Sequence, residues 1–232
     1  MAALGRRPWS HASVPAALVE THATYQHVFD IYVPIGLGVI TLFALATLLA
    51  VVLYRRRPPE QAARFSSNDR LEGGYALLLV CTIAFLLYIT FSAEHRVDTV
   101  SAREQPQLVV NVTAAKWEWH FEYPSYGIDR YSGAVGSEQL VLPANRAIRF
   151  RLTSADVIHA LWIPALSYKH DAIPGSVQSF TLSFARPGTY SGECAEFCGL
   201  MHSNMLFTAR VLAPSRFLAW AQAERGSTGA RR

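Results

Sequence analysis

Hydrophobic residues run without a charged position from Ile31 to Leu53, and again from Gly73 to Ala93. The two runs hold 23 and 21 residues. At about 1.5 Å of rise per residue, each is long enough to cross a hydrocarbon core of roughly 30 Å as a helix. Neither run keeps a polar face, so neither reads as a surface helix packed on a soluble core. The first starts too far into the chain, and is too long, for a cleaved signal sequence, and a second span follows it. The pattern predicts a transmembrane hairpin over 31–93, with helices 31–53 and 73–93 joined by a loop over 54–72.

Beyond Ala93 the pattern changes. Charged residues return, and apolar and polar positions alternate with period two, the repeat of a half-buried strand. Strands are predicted over 107–113, 116–122, 139–143, 146–154, 176–184 and 204–212. A further strand carries Gly188 and Gly192, and another begins at His159. The sequences PSYG, YSG, PAN, IPG and RPG between them are turn signals. Short strands at this spacing make a sandwich or a small barrel. The tail over 214–223 reads as one short helix, and the final GSTGARR as a frayed end. The segment 94–232 is long enough for a core of its own.

Charge supplies an orientation. The loop over 54–72 carries Arg55, Arg56, Arg57, Arg64 and Arg70, whereas the segment 1–30 carries only Arg6 and Arg7. Positive charge beside a span marks the cytoplasmic side. The loop is therefore expected inside a bacterial-type cell membrane, with the segment 1–30 and the domain over 94–232 outside it. Composition narrows the function. The chain is 51% hydrophobic and 16% charged, which excludes a disordered chain. A scattered net charge of +4 gives no nucleic-acid footprint. Three cysteines exclude a disulfide-rich scaffold. One of them, Cys81, lies inside the second apolar run and reads as a small hydrophobe. Glu72 stands at the cytoplasmic start of that run. It reads as an interfacial carboxylate or, since ionisable groups at membrane boundaries mark proton routes, as a proton-uptake group.

The stretch Gly192–Met205, GECAEFCGLMHSNM, carries Cys194, Cys198, His202 and Met205. Thiolate, imidazole and thioether form a soft ligand set that selects copper, or less often zinc. His159 offers a second imidazole. A disulfide between Cys194 and Cys198 would leave His202 and Met205 without a role. Zinc has little use for methionine. A mononuclear blue-copper site would take two His, one Cys and an axial Met, leaving one Cys over. Two thiolates bridging two copper ions, each completed by one His and one weak ligand, would use every residue.

These motifs resemble subunit II of the haem–copper cytochrome c oxidases. The family's G-x-C-x-E-x-C-G-x-x-H-x-x-M is matched by Gly192, Cys194, Glu196, Cys198, Gly199, His202 and Met205. Its S-x-D-V-x-H is matched by SADVIH, ending at His159. Its D-A-I-P-G turn is matched by Asp171–Gly175, and its W-x-W strand by Trp117 and Trp119. The resemblance implies a membrane-anchored all-β protein, a two-helix hairpin followed by a cupredoxin-like Greek-key β-barrel. It implies the binuclear copper A centre, with Cys194 and Cys198 bridging two copper ions, one of His159 and His202 on each, and Met205 and the Glu196 carbonyl as weak ligands. The Glu196 side chain would help hold magnesium against subunit I, Trp117 would receive electrons, and Glu72 would stand at a proton channel into subunit I.

Under that resemblance the partners are subunit I, subunit III, cytochrome c or a similar donor, and the lipid bilayer. The chain relays electrons, and the reduction of dioxygen with proton pumping takes place in the partner. One departure stands out. Residues 94–232 carry fourteen basic and twelve acidic side chains, so no strong acidic field steers a basic donor, although Glu122 and Asp156 stand at plausible docking positions. No C-x-x-C-H fuses a c-type haem to the chain. His11, His22 and His27 read as surface residues. Two other assignments share features. A nitric oxide reductase of the haem–copper class would use the same site with another acceptor. A membrane-anchored copper chaperone would use C-x3-C and a distant His, but with a Pro after the second Cys, where this chain has Gly199.

Overall fold

Both apolar runs fold as helices that continue well past them. Helix α1 spans Thr21–Tyr54 and α2 spans Asp69–Arg103 in this computed structural model, which describes residues 21–55, 67–103, 105–132 and 140–229. The apolar run marks the part fit for hydrocarbon; the polar flanks hold no breaker and stay helical. Asn68 caps α2, its Oδ1 accepting the Leu71 N–H at 3.2 Å while the Glu72 carboxylate accepts the Asn68 N–H at 3.2 Å. Within the hairpin, Tyr32 donates its hydroxyl to the Leu86 carbonyl at 3.1 Å and lies 2.7 Å from Thr90 Oγ1. Both helices are long and apolar enough to cross a membrane. Arg6, Arg7, His11, Arg56, Arg57, Arg64 and the last three residues lie outside the described residues.

The chain divides into two compact units, one over Ala23–His95 and one containing Arg96–Arg232. Among the described residues the second holds ten strands: β1 Leu108–Ala115, β2 Glu118–Tyr123, β3 Ile128–Tyr131, β4 Leu140–Pro143, β5 Ile148–Ser154, β6 His159–Ile163, β7 Tyr168–Ala172, β8 Gln178–Leu182, β9 Gly188–Cys194 and β10 Leu206–Leu212. Helix α3, Pro214–Gly229, follows and is longer than the 214–223 stretch predicted. The strands form two mixed five-stranded sheets, ordered β3-β2-β1-β5-β8 and β4-β10-β9-β6-β7. The pairs β1–β5 and β10–β4 are parallel and the rest antiparallel. The expected cupredoxin-like domain is therefore two facing half-barrels around one core.

Period two places the core. In β1 the residues Leu108, Val110, Val112 and Ala114 are buried, and in β2 Trp119, Phe121 and Tyr123. Tyr123 ties one sheet to the other: its hydroxyl donates to the Val141 carbonyl at 3.0 Å and accepts the Val141 N–H at 2.8 Å, while burial raises its pKa. Strands β3 and β7 were not predicted. IDRY and YKHDA are short, charged edge strands, and charge on an edge is how sheets avoid pairing with other chains.

One packing contact is set by the absence of a side chain. Gly192 in β9 stands opposite Phe207 in β10, and a methyl group on Gly192 would overlap the Phe207 ring. That ring packs on Trp119 and Phe121, with centroids 5.6 Å apart in both cases. We therefore predict that Gly192→Ala destabilises the chain by about 1–3 kcal/mol, the usual cost of overpacking. Thermal unfolding of the detergent-solubilised chain measures this. An unchanged melting temperature would contradict the packing described.

Candidate metal centre

Five sulfur and imidazole side chains converge because three strand ends and one loop meet. His159 opens β6 and Cys194 closes β9; the β9–β10 connection carries Cys198, a 3-10 turn over His202–Asn204, and Met205 immediately before β10. The backbone holds this loop shut. Cys194 N–H donates to the Met205 carbonyl at 3.0 Å, and Ala195 N–H to the Ala160 carbonyl at 3.0 Å. Within the loop, His202 N–H donates to Gly199 O at 3.1 Å and Met205 N–H to His202 O at 3.2 Å. Gly199 has φ +117, a conformation that favours glycine, and its missing Cβ leaves room for Trp117, whose Cζ2 would be 3.4 Å away.

The donors form two lobes. Cys194 Sγ lies 3.7 Å from His159 Nδ1 and 3.3 Å from the Glu196 carbonyl oxygen. Cys198 Sγ lies 3.5 Å from His202 Nδ1 and 3.9 Å from Met205 Sδ. The two sulfurs are 3.9 Å apart and both cysteines are free. His159, Cys194, Cys198 and Met205 are buried, while His202 is half-buried under the exposed ring of Phe197, 5.9 Å away. Burial and the neighbouring Cys194 push the Cys198 thiol up to about 11. A cation that displaces the thiol protons would reverse that balance. Two thiols, two imidazoles, a thioether and a carbonyl in a buried pocket suit copper.

Sequence reading had set Asp156 among the docking carboxylates; the structure gives it another task. Its Oδ1 lies 2.8 Å from His159 Nε2, leaving Nδ1 turned toward Cys194. A carboxylate behind a ligating imidazole fixes the ring and its tautomer. Burial pushes the Asp156 carboxyl up, but hydrogen bonds from His159 and from the Val157 and Lys116 amides outweigh it and hold the group at about 2. The D-x-x-H spacing was the available signal. Glu122 accepts a hydrogen bond from Asn111 Nδ2 at 2.7 Å across β1 and β2.

Trp117 precedes β2 and is half-buried against Gly199, whereas Trp119 alone of the pair is a core residue. The Glu196 side chain is 44% exposed and pairs with Lys169 at 3.6 Å, which also pairs with Asp171 at 3.3 Å. Sequence reading missed Lys169. Glu72 is exposed and bound into the α2 cap, far from the cluster in sequence and in a different unit. His22 and His27 are exposed, and Cys81 is exposed on α2.

Residues 131–211 match the family model described as cytochrome C oxidase subunit II, periplasmic domain. Cytochrome c oxidase subunit 2 of Cereibacter sphaeroides is 28% identical over 89% of this chain and 78% of its own length. A probable cytochrome c oxidase subunit 2 of Streptomyces coelicolor is 31% identical over 70% of this chain and 63% of its own length. The crystal structure of the periplasmic domain of cytochrome oxidase subunit II from Bradyrhizobium japonicum is 30% identical, with a TM-score of 0.49, over 53% of this chain and 97% of that one. The family model falls on the strands that carry the cluster, and the relatives extend over most of the chain; this chain belongs to the cytochrome c oxidase subunit II family.

Proposed function

We propose that this chain is the electron-accepting subunit of a membrane-bound terminal oxidase, and that its buried cluster holds the binuclear copper A centre. The observation that carries this reading is the two-lobed donor set, in which each cysteine sulfur has its own imidazole and its own weak donor. In this reading Cys194 and Cys198 hold two copper ions between them, His159 and His202 take one each, and Met205 and the Glu196 carbonyl are the weak ligands. Bound there, the copper pair supplies reversible one-electron chemistry between cytochrome c and a haem–copper catalytic subunit that reduces dioxygen.

The chain's own residues do the rest. Asp156 holds His159 with Nδ1 inward, and the buried core keeps water from Cys194, Cys198 and Met205. A rigid barrel limits how far the ligands move when charge arrives, which is what a fast carrier requires. Trp117, packed on the ligand loop at Gly199, is the point where electrons arrive. The Glu196 carboxylate, held at the surface by Lys169, would help ligate magnesium against the catalytic subunit. The hairpin anchors the subunit, with α1 and α2 crossing the membrane, the 54–72 loop in the cytoplasm and the cluster outside. Glu72, at the cytoplasmic end of α2, would take up protons for the catalytic subunit. A third subunit completes the assembly.

Metal analysis and electron-spin resonance test the centre. The copper-loaded chain should hold two copper ions and, when oxidised, give a seven-line hyperfine pattern from one electron spread over two nuclei. Cys198→Ser should collapse that pattern to four lines or lose the metal; a mutant that kept seven lines would refute the bridging role. Two further substitutions separate transfer from binding: Trp117→Phe should slow electron arrival, and Glu72→Gln steady-state turnover, each at unchanged copper content. Unchanged rates in either would remove that residue from its role.

A further inference from the structure

Trp119 is fully buried and touches more of the cluster than any single hydrogen bond accounts for. Its Nε1–H points at the Met205 carbonyl, 3.5 Å away, the same oxygen that accepts the Cys194 N–H at 3.0 Å. Its ring meets the His159 imidazole edge-on, with centroids 6.4 Å apart and planes at 63°. Its other neighbour, Phe207, is held in place by Gly192. The backbone of Trp119 is pinned as well: Ser132 Oγ accepts its N–H at 2.6 Å, and Ser132 N–H donates to its carbonyl at 2.8 Å.

One side chain thus reaches a residue of each lobe, His159 in one and Met205 in the other. Among the described residues the Met205 thioether meets one hydrogen-bonding partner, Cys198 Sγ at 3.9 Å, and Met205 is otherwise placed by its backbone. That backbone is held at the carbonyl by Cys194 and Trp119 together. We propose that Trp119 is a positioning residue for the copper centre, setting the place of Met205 and the tilt of His159 and so how evenly the two lobes share charge. This rests on the copper reading above. Partners of metal ligands commonly change metal affinity by about 10–100-fold when removed.

The test uses the full-length chain, copper-loaded in detergent. Trp119→Phe keeps an aromatic ring and removes the N–H. Replacement of Trp119 alone by the near-isosteric sulfur analogue β-(3-benzothienyl)alanine removes the N–H while filling the same space, and so serves where the phenylalanine variant fails to fold. Both should lower copper affinity at least about tenfold and alter the hyperfine pattern. As a control for core loosening, Phe150→Leu, in the buried stack of Phe150 on Phe180, should lower the melting temperature and leave the spectrum as in the wild type. Wild-type spectrum and affinity in both Trp119 variants would overturn the proposal, as would an equal spectral change in Phe150→Leu. A wild-type chain without the seven-line pattern would instead sink the copper reading itself, and this inference with it.

Discussion

The hydrogen bond from Cys194 N–H to the Met205 carbonyl is where the barrel and the cluster become one object. It continues the β9–β10 ladder one step beyond the last strand pair, Leu206 opposite Glu193. The ten-residue excursion between its ends is thereby closed, and the side chains of Cys198 and His202 fold back over those of Cys194 and Met205. Without it, the loop would have to pay the entropy of ordering its donors each time metal bound. With it, the cost falls on folding of the sheet, where burial of Val110, Phe121, Phe150 and their neighbours offsets it.

The two lobes differ in how they are supported. His159 sits on a strand, its far nitrogen on Asp156, and is wholly buried. His202 sits on a one-turn helix, half-exposed, with the solvent-facing ring of Phe197 against it. One lobe is thus rigid and dry, the other nearer the surface. Exposed Phe197 and Leu200 flank the second lobe on the same loop. The chemistry proposed for the cluster needs a fixed geometry, and the strand that carries His159 and the carboxylate behind it supply one.

Much of this was legible in the chain. The spans stood out because apolar character alone suffices to mark a membrane segment, although their polar extensions, such as Thr21–Asp30, carry no such mark. Central strands were legible through alternation; β3 and β7 were not, because edges are kept charged. The ligand types and their spacing pointed to a soft-metal site before any coordinates. What the chain could not reveal was distance across the fold. Lys169 on Glu196 and Trp119 over Met205 depend on strands meeting, not on neighbours in sequence, whereas Asp156 behind His159 left a trace in the D-x-x-H spacing.

In the proposed centre two metals share two sulfurs. Copper-edge X-ray absorption of the purified complex reads this directly. Sulfur and nitrogen neighbours around each copper, with a second copper close by, are the expected result. Copper with no metal neighbour, or a chain whose Cys194 and Cys198 are joined to each other and bind none, would contradict it.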